Sequence, residues 1–571
     1  MERRISRVSA NDERIFQVLH SRGDDAAVGR AHAERFPDGV RDGMVSLYVG
    51  LWRRMLGADA GIVAGPLAKA VERLIDTVVL KPLTDSIPDG YRTRIRAVAD
   101  ASKTPERDLL LASVLPDVLP IAQGALARWL PKRFVERRAP ELSSPAPVAF
   151  GCSSALLAGP SGLVGRNLDF PGVGYWDRFP VLQSYEMPGK LRYVGVSSAG
   201  IPFAGITGVN EAGLYVALHQ HYSRDFKRRG VAPFFVAEDV LGQCRTVAEA
   251  VEMVSRGPVA SAWAFLLADA AGNRAIVERS PKTVGRRPDD TLLTHSNFFQ
   301  SDACRPNEYA ASERMNWDNW YRNDRLRRRL GDKPVATVAE VASAMSDHVD
   351  GFWGEEKPAN RIVAQLYNIQ SVVYDPSTRS LWLAEGPTPI HLGSYRRYNL
   401  GEIFSGREGR STETVPGYSF QNPAVSRARL HYSKSFIDGF EGRWDLSAEW
   451  MERAQKEFYT AEGALVLGIL RMKQDRFADA LATIQEGLAF VEKRRGTRAF
   501  PPEYFELALY EARALDLLGK RTEAVARYRA VAAHPGLGDR NLKAIAHRAK
   551  AFTKRDADRL FAPFSSYVPF R

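Results

Sequence analysis

The hydrophobic period of this chain changes twice, and that limits it to a mixed architecture. Apolar residues recur at three- and four-residue intervals over Arg14 to Leu19, Ala26 to Phe36 and Asp42 to Leu56, which predicts helices up to about residue 140. Thr104-Pro105-Glu106 reads as an N-cap followed by Pro at the first helical position. Arg137 to Pro147 is rich in Pro and Ser and reads as a boundary loop. From Val148 the period is two. Short β-rich runs recur from Ser154 to Leu157, Leu163 to Phe170, Val181 to Met187, Leu214 to Leu218, Ala264 to Asp269, Ser371 to Tyr374 and Leu381 to Ala384. Helical stretches interrupt them at Pro233 to Cys244 and Thr246 to Ser255, the second opened by a Thr246/Glu249 capping box. This order predicts an α+β fold with sheets covered by helices.

Residues 401–445 are rich in Gly, Ser, Arg and Pro and read as an irregular connector. Beyond them the helical period returns. Ala464, Leu467, Gly468, Phe477, Ala480 and Ile484 have the small/large spacing of a tetratricopeptide unit, and Ala508, Ala512, Leu515, Gly519, Ala524 and Tyr528 repeat it. A generic helical bundle is the competing expectation. A length of 571 residues accommodates about three to four such units.

The net charge of +12 is modest for this length and lacks the dense basic blocks of a nucleic-acid tail, so no nucleic-acid partner is expected. Arg325-Leu326-Arg327-Arg328-Arg329 is the densest cluster and reads as a solvated helix face. Three cysteines, at 152, 244 and 304, form no disulfide framework and no metal-ligand spacing. The expectation is a cytoplasmic protein with no secretory signal, no transmembrane segment and no metal or organic cofactor.

Cys152 lies in Val148-Ala149-Phe150-Gly151-Cys152-Ser153-Ser154, with Gly165-Arg166-Asn167-Leu168-Asp169-Phe170 on the next run. A thiol attacks a carbonyl as the thiolate and needs a base. Scission before Cys152 creates one, because the new α-amine has a pKa of about 7.7–8. Gly151 leaves the severed carbonyl unobstructed and tolerates the strained backbone that an N-to-S acyl shift requires. Asp169 can hold the new ammonium, and Arg166 can orient a carboxylate or grip Asp169 through a bidentate contact.

These residues resemble the N-terminal nucleophile hydrolases of the choloylglycine hydrolase type, and more closely the isopenicillin N acyltransferase-like branch, whose helical prosegment ends in Gly-Cys. Gly208-Val209-Asn210-Glu211-Ala212-Gly213-Leu214 is similar to a Gly-x-Asn-x-x-Gly-Leu segment of that family. Thr294-His295-Ser296-Asn297-Phe298 resembles its His-Thr-Asn-His-Phe motif, and Ser371 to Pro376 its last core strand. The resemblance implies a four-layer αββα core. It divides the chain into a helical prosegment at 1–151 packed partly on the core, the core at 152–400, the connector at 401–445 and a helical tetratricopeptide-like domain at 446–571.

The resemblance also implies roles. Cys152 is the nucleophile for self-cleavage and for turnover, Asp169 orients its amine and thiol, and Arg166 shapes the pocket. Asn297 donates a hydrogen bond to the nucleophile region or the developing oxyanion. Relatives place a second donor, commonly Asn, where this chain has His219-Gln220-His221, so either His219 or Gln220 takes that part. Phe170, Tyr175, Trp176 and Phe179 are candidates to line an acyl pocket, or else core packing. The expected activity is acyl transfer or hydrolysis through an acyl-Cys152 intermediate. The substrate would be a small acyl amide or acyl thioester, a coenzyme A thioester among them. The alternative is a catalytically dead core acting as an interaction module, with the C-terminal helices binding a protein partner.

Overall fold

The computed structural model describes residues 14–50, 76–129, 151–159, 162–170, 172–287, 290–308, 313–331, 336–387, 389–558 and 560. The expected boundary loop from Arg137 to Pro147 and the end of the expected helix at Asp42 to Leu56 lie outside the described residues.

The N-terminal segment supplies strand β1 (Gln17–Arg22) and helix α1 (Asp25–Arg35), which Asp24 caps by accepting a hydrogen bond from Ala27 N at 2.8 Å. A wide helix at Gly39–Val49, α2 (Asp89–Ser102) and α3 (Glu106–Trp129) follow. The strands then run β2 (Gly151–Leu157), β3 (Val164–Asp169), β4 (Pro180–Glu186), β5 (Tyr193–Ser198), β6 (Thr207–Asn210) and β7 (Tyr215–Gln220). Helices α4 (Pro233–Gln243) and α5 (Val247–Arg256) precede β8 (Trp263–Ala268), β9 (Arg274–Arg279), β10 (Val284–Arg286) and β11 (Leu292–His295). Helices α6 (Glu313–Leu330) and α7 (Val338–Met345) lead to β12 (Asn368–Asp375), β13 (Ser380–Ala384), β14 (Tyr395–Asn399) and β15 (Arg410–Val415).

One sheet has the order β1-β4-β5-β6-β7-β8-β9-β10 and the other β11-β2-β3-β12-β13-β14-β15. Leu156, Val164, Val372 and Leu381 of the second meet Leu182, Val194, Val209 and Leu266 of the first in the inter-sheet core. Tyr215 stacks on Tyr374 across it, with ring centroids 5.5 Å apart. The outer face of the first sheet is covered by the N-terminal helices with α4 and α5. That of the second is covered by α6 and α7 through Leu326, Leu330, Val341 and Met345. The result is the α+β arrangement in four layers, helix, sheet, sheet, helix. Strands covered on both faces carry near-continuous apolar runs, which is what makes them readable.

Two features depart from the sequence expectations. Arg14 to Leu19 contributes to a strand, not a helix: β1 pairs in parallel with β4 from Gln17↔Val181 to Arg22↔Glu186. Its spacing alone does not distinguish the two, and pairing to an open sheet edge decides it. The segment ahead of Gly151 is therefore woven into the core sheet. The 401–445 stretch is not irregular, since it holds β15 and α8 (Pro423–Phe440). Asn422 caps α8, Pro423 occupies its first turn, and Val425, Ala428, Tyr432 and Phe436 form its buried face.

The C-terminal helices continue as α9 (Trp444–Glu457), α10 (Ala461–Lys473), α11 (Phe477–Arg495), α12 (Pro502–Leu517) and α13 (Arg521–Ala533). Neighbours pack as α8 on α9, α10 on α11 and α12 on α13. Small residues permit this approach. A Cβ on Gly468 would lie 2.6 Å from Ile484, and one on Gly487 would lie 3.0 Å from Ala464. Among the described residues no helix is long and apolar enough to cross a membrane.

Candidate nucleophile centre

Strand β2 aims Cys152, Ser154 and Leu156 at the inter-sheet space, because alternate residues share a face. Cys152 is fully buried. Its N–H donates to Asn297 Oδ1 at 2.7 Å, and its Sγ lies 3.7 Å from Leu218 O. Arg166, opposite Ser154 on β3, reaches to 3.8 Å of Sγ and donates to Leu218 O at 2.9 Å. Among the described residues the Nε and Nη1 of Arg166 are buried without a hydrogen-bond partner.

Asp169 stands opposite Gly151 in the β2–β3 ladder. Its Oδ1 accepts from Asn368 Nδ2 at 2.7 Å, and among the described residues its Oδ2 is buried without a partner. The expected bidentate grip between Arg166 and Asp169 does not form, since an odd spacing on a strand sends them to opposite faces. Gly151 is also not in a strained conformation: it lies in β2 and is absent from the positive-φ residues. What it supplies is room, because a Cβ there would sit 3.1 Å from Asp169 Cβ.

The electrostatics favour a dormant thiol. Burial pushes the Cys152 thiol up to about 11, with Arg166 pulling down, Asp169 pushing up and Arg322 pulling down. Burial also raises the Asp169 carboxyl to about 6, against the Arg322 charge and the Asn368 hydrogen bond.

Asn297 follows β11 and reaches Cys152, but as an acceptor from its N–H: its own Nδ2 donates to Gln220 O at 3.0 Å. The Gln220 side chain donates to Pro116 O of α3. His219 meets Ser154 Oγ at 2.8 Å and His295 Nδ1 at 3.2 Å, and His295 Nε2 lies 3.2 Å from Glu278 Oε1. Burial lowers both imidazoles. Neither candidate for the second donor points at Cys152. His221 stacks on Phe299 with centroids 4.4 Å apart.

Arg322 on α6 was not among the sequence candidates. Its Nη1 donates to Cys152 O at 2.6 Å and Ser153 Oγ at 2.7 Å, and its Nη2 to Asn319 Oδ1 at 2.7 Å. Asp318 holds its Nε at 2.8 Å. The Asp318/Arg322 i,i+4 spacing just ahead of the basic run was the available signal. Within that run Arg325 and Arg329 pair with Asp347, and Arg328 with Asp324.

An apolar cavity of about 60 Å³ adjoins the centre, lined by Leu168, Trp176 and Ile369 of the core and by Met44, Tyr48 and Pro116 of the N-terminal segment. Of the expected pocket residues, Trp176 lines it. Phe170 stacks behind Trp176 with centroids 5.1 Å apart. Tyr175 turns away, its hydroxyl donating to Asp38 O at 3.3 Å. All three cysteines are free and buried. Among the described residues no group of three His, Cys, Asp or Glu side chains is arranged to hold a metal ion.

Comparison with curated proteins finds no match. Residues 157–388 match the model of a family described as acyl-coenzyme A:6-aminopenicillanic acid acyl-transferase, a stretch that holds Arg166, Asp169, His219, Gln220, Asn297 and Arg322 and begins after Cys152.

Proposed function

We propose that this protein is a cysteine acyltransferase or amidohydrolase that activates itself by cutting the Gly151–Cys152 bond and then carries acyl groups on Cys152. The observation that carries this reading is the second carboxylate oxygen of Asp169, buried beside Gly151 without a partner among the described residues. An unpartnered buried acceptor is costly. A new α-ammonium on Cys152 is the donor that it lacks. The family match supports acyl transfer as the reaction class.

In scission, Sγ adds to the Gly151 carbonyl carbon, the C–N bond breaks and the departing amine takes the thiol proton. Water then hydrolyses the thioester, leaving a Gly151 carboxylate and a Cys152 bearing a free thiol and amine. In turnover that amine is the base. Sγ attacks an acyl amide or thioester, the leaving group takes the proton, and water or an amine resolves the acyl-cysteine. The Asn297 and Gln220 side-chain amides serve as donors to the developing oxyanion once their contacts to Gln220 O and Pro116 O open. One such donor contributes about 3 kcal/mol to the transition state. The apolar cavity suits a hydrocarbon acyl group, walled partly by the N-terminal segment. Free thiols suit a reducing, cytoplasmic setting, and the paired helices from 461 to 533 suit tetratricopeptide-type packing.

Intact mass spectrometry tests the reading. Wild type is expected as two chains parted before Cys152, Cys152→Ala as one, and Gly151→Val as slowly or incompletely cut, because its side chain collides with Asp169. A wild-type chain that stays whole under reducing, near-neutral conditions sinks it.

A further inference from the structure

Residues 346–367, between α7 and β12, have no regular secondary structure, and the stretch from Asp350 to Gln365 is held from two sides. From the C-terminal side, Arg429 of α8 donates to Pro358 O and Gln365 O, both at 2.8 Å. Lys357 pairs with Glu462 of α10, and Arg361 grips Glu503 of α12 at 2.6 and 2.9 Å. Asp350 joins both cations, at 2.6 Å to Lys357 and 3.1 Å to Arg361. All six of these charged side chains are buried. From the core side, Arg361 N donates to Asp318 Oδ1 at 2.8 Å, and Gln365 Nε2 to the same oxygen at 3.0 Å.

Asn360 and Arg361 are consecutive non-glycine residues with φ of 63° and 52°. Such residues adopt this left-handed conformation only where their surroundings impose it. Here it lets Arg361 give its backbone to the core and its guanidinium to the C-terminal helices. Asp318 in turn holds Arg322, which holds the Cys152 carbonyl. The path from Glu503 to Cys152 is a chain of hydrogen bonds of 2.9 Å or less. Glu462 and Glu503 lie beyond residue 388, outside the family match.

We propose that Glu503 and Glu462 are positioning residues for Cys152, acting through Arg361, Asp318 and Arg322, so that the C-terminal helices set the geometry and charge of the nucleophile centre. The proposal rests on Cys152 being the nucleophile. Cys152 faces Arg166 and Asp169 from β3, Arg322 from α6, and Tyr215 and Tyr222 from β7 and its continuation. Of these, Arg322 is the group that Glu503 reaches. Displacing it removes a cation from the Cys152 carbonyl, whose charge also pulls the thiol down, and moves the thiol titration upward.

The test is the rate of Cys152 alkylation by iodoacetamide as a function of pH, read by peptide mass in full-length protein. The variants are Glu503→Gln, Asp318→Asn, the double variant, and Glu413→Gln, which breaks only an exposed pair with Arg397. Glu503→Gln and Asp318→Asn are each expected to slow the reaction about tenfold at pH 8 and to move its midpoint up. The double variant is expected to be no slower than the worse single one, and Glu413→Gln to match wild type. Loss of folded protein alone exposes the thiol, which speeds alkylation and moves the midpoint down toward the free-thiol value of about 8.5, the opposite sign. An unmoved midpoint in Glu503→Gln beside a moved one in Asp318→Asn overturns the proposal. If wild-type Cys152 is inert at every pH, the nucleophile reading fails separately. Hydrogen exchange over residues 151–157 then decides the positioning: about tenfold faster exchange in Glu503→Gln upholds it, and unchanged exchange overturns it.

Discussion

Asp117 shows how much a single buried group can set. It follows Pro116 on α3, and its Oδ1 accepts from Ser261 Oγ and from Trp263 Nε1 at 3.1 Å, while Oδ2 has no partner among the described residues. Burial pushes its carboxyl up to about 7. A carboxyl whose folded pKa exceeds its unfolded value near 3.9 takes up a proton on folding within that window. Stability is therefore full at low pH and falls as pH rises from about 4 to 7, by about 4 kcal/mol in total. Asp117→Asn removes that loss, so melting temperatures of variant and wild type should diverge in the variant's favour between pH 4 and pH 8. Parallel curves would contradict the assignment. At this scale Cys152, Asp169, Arg166 and Asn297 were legible because two neighbouring strands and one strand end carry them. Arg322 and Asn368 were not, because only the fold brings residues so distant in sequence to Cys152 and Asp169. The mistaken Arg166–Asp169 contact came from reading proximity along the chain as proximity in space.

Among the elements, α3 does more than pack. Residue 120 is also proline and has no N–H, so the Pro116 carbonyl lacks its helical donor and is left for Gln220. The N-terminal segment thus occupies a group of the nucleophile centre, walls the cavity beside it and contributes β1. Arg94 of α2 is fully buried between Asp25 of α1, at 2.7 Å, and Glu238 of α4. A segment held by a six-residue ladder and a buried ion pair should not leave when the chain is cut. If the proposed scission takes place, the two pieces are expected to co-elute in native size-exclusion chromatography and to separate only in denaturant. Separate elution in native buffer would refute this. Doubly covered strands were readable from their apolar runs. The edge strand β1 and helix α8 were not, because half-exposed elements carry less pattern and owe their form to what they pair with.

At the scale of the whole molecule, the core and the C-terminal helices share one buried charge network rather than a polar interface between independent bodies. Lys357 and Arg361 are surrounded by Asp350, Glu462 and Glu503, and Arg314 of α6 meets Glu506 of α12 at 3.2 Å. Removing one partner of a buried pair leaves the others desolvated and uncompensated, at a cost of about 3–5 kcal/mol. Arg361→Ala keeps the N–H that Asp318 accepts but strands Glu503 in the interface. In wild type, hydrogen exchange across a urea series should show β2–β3 and α10–α12 losing protection together, because the network couples them. In Arg361→Ala the α10–α12 peptides should lose protection at lower urea than the β2–β3 peptides, splitting one transition into two. Coincident curves in the variant would mean that apolar packing of Tyr432, Phe436 and Leu465, and not the charges, joins the two regions.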